Sequence, residues 1–133
     1  MSRNSGQSWK DISPNDGMRH GFAIGISGND SVFVVPAYQD ICKEHLSCIK
    51  GQLKVLRTDD DGKTWNETTK GLPRNVQTCV LRDSMAVDKG KPAKVFFGTI
   101  TGEIYYSGNE GEDWRMLMKG AGRIQGISVL HAA

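Results

Sequence analysis

Short runs of alternating or continuously apolar, β-branched and aromatic residues recur along the chain, each closed by glycine, asparagine, aspartate or proline. Residues 22–26 and 31–36 form the first two runs, separated by Ser27-Gly28-Asn29-Asp30, a turn signal. Residues 53–57 alternate, and 65–69 follow until Gly71 and Pro73 stop the pattern. The same order returns at 85–87, 94–98, 103–107 and 114–118, and a last run covers 124–130. No stretch carries a clear helical period, and only 75–82 reads ambiguously. The pattern predicts an all-β chain with four antiparallel strands to each unit.

The units are punctuated by a repeated box, Ser/Thr-x-Asp/Asn-x-Gly-x-x-Trp. It occurs at 2–9, 58–65 and 107–114, and the three copies hold all 3 tryptophans of the chain. Copies that recur at about fifty residues mark an architecture of stacked supersecondary units. Asn4, Asp60 and Asn109 are suited to accept backbone N–H bonds from residues one to three ahead and so hold a tight turn. Gly6, Gly62 and Gly111 supply positive φ, and Trp9, Trp65 and Trp114 open the returning strand and cover the corner. Each box is expected to be a structural hairpin corner, with no catalytic part for Asp60.

A second correspondence aligns Arg19-His20-Gly21-Phe22-Ala23-Ile24 with Arg82-Asp83-Ser84-Met85-Ala86-Val87, and more loosely with Arg123-Ile124-Gln125-Gly126-Ile127. The chain then parses as one partial propeller over 1–133. Residues 1–14 are the last strand of a blade, 15–72 a blade with an insertion at 38–51, 73–119 a blade, and 120–133 a closing first strand.

The boxes resemble the Asp-box, or BNR, repeats of sialidase-like β-propellers, and the chain is similar to the C-terminal blades of prokaryotic BNR-repeat glycosyl hydrolase-like proteins. The resemblance covers nearly the whole sequence and implies a β-propeller segment of four-stranded blades. Related propellers include glycosidases, sorting receptors and photosystem assembly factors, so the fold leaves the activity open.

Blade topology puts the boxes between third and fourth strands, at one end. The opposite end then gathers the links between blades, with Arg19, His20, Arg82 and Arg123, and the links from second to third strand, with Tyr38. An arginine cluster there suits a carboxylate or phosphate, gripped bidentately, and in sialidases a comparable arginine triad holds the substrate carboxylate. The same arginines also suit a purely structural part, bonding neighbouring carbonyls or Asp83. Sialidase-like chemistry implies a tyrosine nucleophile with a glutamate base and a separate acid. That set is not recognisable here: Tyr105 and Tyr106 adjoin the third box, and only Tyr38 falls at the proposed site end.

Composition narrows the partners. Net charge is +2, with both signs interspersed, which gives no nucleic-acid footprint. No apolar run is long enough for a membrane span and no signal segment opens the chain, so a soluble chain of unspecified compartment is expected. Cys42, His45 and Cys48 stand at C-x2-H-x2-C spacing inside the insertion, with Cys79 the remaining cysteine. A zinc site, a Cys42–Cys48 disulfide and unlinked thiols all fit that spacing; no metal and no cofactor are expected. His20 and His131 have no partner at metal spacing, and Asn29 and Asn66 head glycosylation sequons.

Two blades and two part-blades leave strand edges uncovered, which predicts self-association or further blades upstream. Three functions fit. The first in rank is a non-catalytic module binding a glycan or a protein; the second is a sialidase-like glycoside hydrolase or part of one, with the arginines on an acidic sugar; the third is an assembly component without a small ligand.

Overall fold

The computed structural model describes residues 1–14, 20–39, 46–48 and 51–130, with backbone alone at 20, 38, 39, 46 and 47. Among these residues it is all-β. Nine strands run in order: β1 (His20–Ile26), β2 (Val32–Gln39), β3 (Leu46–Cys48), β4 (Val55–Thr58), β5 (Asn66–Thr68), β6 (Val80–Val87), β7 (Val95–Thr99), β8 (Ile104–Ser107) and β9 (Arg115–Met118). They form two antiparallel sheets, neither closed on itself. The first has the order β1-β2-β4-β5, with β3 added beside the far end of β2, and the second has the order β6-β7-β8-β9.

Local chemistry fixes the hairpins. Between β1 and β2 the Ser27 hydroxyl accepts the N–H of Ser31 at 3.2 Å, and Asp30 takes a left-handed φ of +66°. Small polar residues tolerate this conformation because a short side chain relieves the clash that forbids it elsewhere.

The two sheets pack face to face. Ala23, Phe33, Val35, Leu53 and Val55 come from the first unit and Val80, Met85, Val95, Phe97, Tyr105 and Trp114 from the second, all in one buried cluster. Phe97 stacks on Tyr105 at 5.3 Å and meets Trp114 at 5.0 Å between ring centres. Such rings dominate the burial term, at roughly 1.5–3 kcal/mol for each large apolar side chain removed from water. A half-buried charge network ties the same faces: Arg57 bonds Asp59, Glu110 Oε2 and the Glu110 carbonyl, each within 2.9 Å, and lies over the Phe33 ring.

Several expectations need correction. Residues 124–130, expected as a strand, carry none, and neither do residues 1–14. Each segment has too few backbone bonds for a ladder: Met1 and Lys10 exchange one pair, and Ile124 and Ile127 donate to Thr99 and Asp83. The ambiguous stretch 75–82 is irregular to 79, and then β6 begins, five residues earlier than expected. The insertion contains β3, which pairs with Ala37, Tyr38 and Gln39. The side-by-side alignment also moves. Ile26 lies opposite Val32, which lies opposite Thr58; Val87 lies opposite Val95, which lies opposite Ser107. Thr58 and Ser107 open equivalent boxes, so Ile26 matches Val87, where sequence alone paired Ile24 with it. By register Gly21 matches Val80 (opposite Pro36 and Thr99) and Ile24 matches Met85 (opposite Val34 and Phe97). Arg82 therefore falls in the irregular stretch between Val80 and Met85, with no register position that matches it to Arg19. Register shifts in both β1 and β6 hide this offset from linear comparison.

Candidate functional site

Each box builds one hydrogen-bond network three times. The first-position hydroxyl accepts the glycine N–H: Gly6 to Ser2 at 2.8 Å, Gly62 to Thr58 at 2.9 Å, Gly111 to Ser107 at 2.8 Å. The third-position oxygen accepts an N–H four residues ahead: Ser8 to Asn4 at 2.9 Å, Thr64 to Asp60 at 2.9 Å, Asp113 to Asn109 at 3.2 Å. The reach is thus longer than the one to three residues expected. The fourth and fifth positions both adopt positive φ, +53° and +85° at Ser5 and Gly6, +61° and +77° at Asp61 and Gly62, +58° and +82° at Glu110 and Gly111. The second and third boxes join β4 to β5 and β8 to β9, the third and fourth strands along each sheet order. In the second box the Thr64 hydroxyl and then the Thr64 N–H hold the Asp60 carboxylate down to about 2. A carboxylate saturated by donors in its own turn has a structural part.

The box tryptophans also join units. Trp65 Nε1 donates to the Ile12 carbonyl at 2.9 Å, and Trp114 Nε1 donates to Thr68 Oγ1 at 3.2 Å. Ile12 and Thr68 each stand three residues beyond the preceding box tryptophan. Acids at the fourth position repeat the link, Asp61 with Arg3 and Glu110 with Arg57.

At the end away from the boxes, the chain at 120–127 is stitched to the second sheet. Ile124 N–H donates to the Thr99 carbonyl at 3.1 Å, the Ser84 hydroxyl to the Ile124 carbonyl at 3.0 Å, and Ile127 N–H to the Asp83 carbonyl at 2.9 Å. Gly98 leaves room for Ile124: a Cβ there would stand 2.4 Å from the isoleucine side chain. This path brings Arg123 beside Arg82. The two arginines line an open depression of about 470 Å³ with Phe22, Leu81, Asp83 and Gln125. The Arg82 guanidinium lies 5.5 Å from the centre of the Phe22 ring. Among the described residues neither arginine has an ion pair or hydrogen bond, so the structural bonding to carbonyls or Asp83 is not made by them. Two unpaired guanidinium groups beside an aromatic face suit an anion carried on a flat or apolar body.

Of the five candidates for the site, then, Arg82 and Arg123 come together. Arg19 lies outside the described residues, as do the side chains of His20 and Tyr38, whose backbones begin β1 and approach the end of β2. Cys42, His45 and His131 also lie outside. Cys48 and Cys79 are free and buried, and Cys48 donates its thiol to the Val76 carbonyl at 3.2 Å. Cys48 is therefore in no disulfide with Cys42. Burial pushes the Cys79 thiol up, partly offset by the Arg123 charge. Among the described residues no histidine, cysteine and carboxylate cluster could hold a metal, and no helix is long and apolar enough to cross a membrane.

Sequence reasoning missed Phe22, whose ring supports Arg82, and the first-position hydroxyls. Tyr105 is set by the sequence next to the third box, at the end away from the arginines. It lines instead a depression of about 320 Å³ with Thr78, Thr101, Glu103 and Met116, and burial, then the Glu103 charge, pushes its phenol up. Glu103 itself is lowered by hydroxyl bonds from Thr101 and Thr99. The alternation of β8 explains the split between the tyrosines: Tyr105 turns to Phe97 and the core, and Tyr106 meets Phe96 at 5.0 Å on the other face. Compared with known proteins, the chain matches no family model, and no curated protein matches it.

Proposed function

We propose that the chain is a segment of an Asp-box β-propeller that binds an anionic ligand, a glycan acid or an acidic side chain of a protein, through Arg82 and Arg123. In this reading the two sheets are successive blades, residues 1–14 the end of a preceding blade and 120–133 the start of a following one. The observation that carries the function is the pair of unpaired arginines in one open depression, with Phe22 beneath Arg82. The box geometry supports the propeller: one network, at one end of each sheet, linked to the unit before it. A binder is favoured over a complete sialidase-like enzyme because, among the described residues, no tyrosine and no glutamate lines the depression that holds Arg82 and Arg123.

Titration with N-acetylneuraminate, galacturonate and the neutral sugar galactose, followed by amide chemical shifts, tests this. Binding of an acid, with shifts around residues 82 and 123, is expected. Arg82→Ala and Arg123→Ala should each weaken it about tenfold, the worth of a charge-assisted bond. Equal binding of galactose, or acid binding that survives both substitutions, refutes the assignment. If neither sugar acid binds, a glutamate-rich peptide decides between a protein ligand and no ligand at this site.

A further inference from the structure

Two of the three box tryptophans grip the preceding unit three residues beyond its own box tryptophan. Among the described residues Trp9 makes no such contact. Its Nε1 donates to the Gly6 carbonyl of its own turn, and the residue is 76% exposed. The ring borders an apolar groove of about 530 Å³ with Ile12, Ile24, Ile26 and Val34. At the other face of the molecule the receiving position is present and uncovered. Three residues beyond Trp114 is Leu117, 58% exposed between Met116 and Met118, which are also exposed. It is the extra residue of a bulge in β9, since Ile104 pairs with Met118 and Tyr105 with Met116.

The flanking chemistry is compatible. Inside the chain the fourth box residue and its partner are oppositely charged, Asp61 with Arg3 and Glu110 with Arg57. In the first box the fourth residue is Ser5, and the place of Arg57 in the second sheet is held by Tyr106, which pairs with Phe96 as Arg57 pairs with Phe33. A neutral hydroxyl therefore meets a neutral phenol, and no charge is buried unpaired.

We propose that copies of this chain associate head to tail, with the Trp9 hairpin of one copy seated on β9 of another. The indole N–H is donated to the chain at Leu117, and the ring covers Met116, Leu117 and Met118. The contact continues between molecules the one that Trp65 and Trp114 make within each. It is heterologous, so it propagates into a ring or an open string, and it does not depend on the anion site.

Light scattering across a concentration series tests it, with Trp9→Ala and Leu117→Arg, both at exposed positions and both checked for folding by circular dichroism. The unaltered chain should exceed its 14.6 kDa protomer mass as concentration rises. Each variant alone should run near that mass, with association weakened about tenfold or more. A one-to-one mixture should then regain a species of twice the protomer mass, because Trp9→Ala keeps an intact β9 and Leu117→Arg an intact Trp9. A monomeric unaltered chain at about 1 mM, variants that associate as before, or a mixture that stays monomeric each overturns the proposal.

Discussion

Removal of one hydroxyl from each box in turn separates what the motif does from where it sits. Ser2→Ala, Thr58→Ala and Ser107→Ala delete the acceptor of the glycine N–H, in bonds of 2.8, 2.9 and 2.8 Å. Bond lengths alone predict equal losses. Burial predicts otherwise. Ser107 is 1% exposed and Gly111 is buried, so no water replaces the lost acceptor. An orphaned buried N–H costs about 1–3 kcal/mol, and the expected loss at Ser107 is in that range. Around Ser2 the turn is exposed, water takes the place of the hydroxyl, and the loss should stay within about 0.5 kcal/mol. Thr58 is buried but its Gly62 partner is only partly so, which places Thr58→Ala between the two. Urea denaturation reads the series directly. With a slope of roughly 1–3 kcal/mol per molar, Ser107→Ala should move the midpoint by on the order of 1 M and Ser2→Ala hardly at all. Equal shifts in all three variants would refute the assignment of the cost to desolvation. A larger shift at Ser2 would show that the first hairpin is more deeply packed than its exposure indicates.

Three further outcomes follow from the same geometry. The Asp60 carboxylate, held down to about 2, contributes stability that is fully present above the unfolded value near 4 and is lost as pH falls through about 2; carbon-detected titration should find that low midpoint, and Asp60→Asn should remove this part of the acid dependence. Gly71, at φ +84°, would put a Cβ 2.0 Å from the Trp114 carbonyl oxygen, so Gly71→Ala should destabilise the fold by about 2–4 kcal/mol in thermal or chemical melts, beyond what an open left-handed glycine costs. Gly98→Val should displace Ile124, whose side chain occupies that space, and carry Arg123 away from Arg82; acid-sugar affinity should fall about tenfold while the circular dichroism spectrum stays that of an all-β chain.

The parts legible in the sequence are those that residue type decides locally. Gly62 and Trp65 announce a corner because positive φ and a large apolar cover are needed together, and the corner lies where the repeat put it. The parts that stayed hidden depend on register and on distant chain. Arg19 and Arg82 look equivalent in a linear alignment, yet Gly21 matches Val80 by register and Arg82 falls inside the register shift of β6. Residues 124–130 have the composition of a strand but, among the described residues, no backbone partner beyond Thr99 and Asp83, so propensity alone could not make them one. Phe22 reads simply as a strand aromatic, and its use beneath Arg82 follows only from the packing of β1 against β6.

This division also explains why one end of the structure reads so much more clearly than the other. A box is closed by bonds spanning at most six residues, all written in its own sequence, so three copies with Asn or Asp at the third position fold alike. The opposite end is assembled from separate places: Arg82 from β6, Arg123 from the segment anchored by Ile124, Phe22 from the neighbouring sheet. Its geometry is therefore free to change without loss of the fold, through a glycine such as Gly98 or a bulge such as that in β1. A scaffold whose corners are fixed locally and whose opposite rim is set by long-range packing can keep its architecture while its ligand changes. On the function proposed for this chain, the discriminating chemistry lies in the guanidinium groups of Arg82 and Arg123, since the box hydroxyls and third-position oxygens are taken up within their own turns.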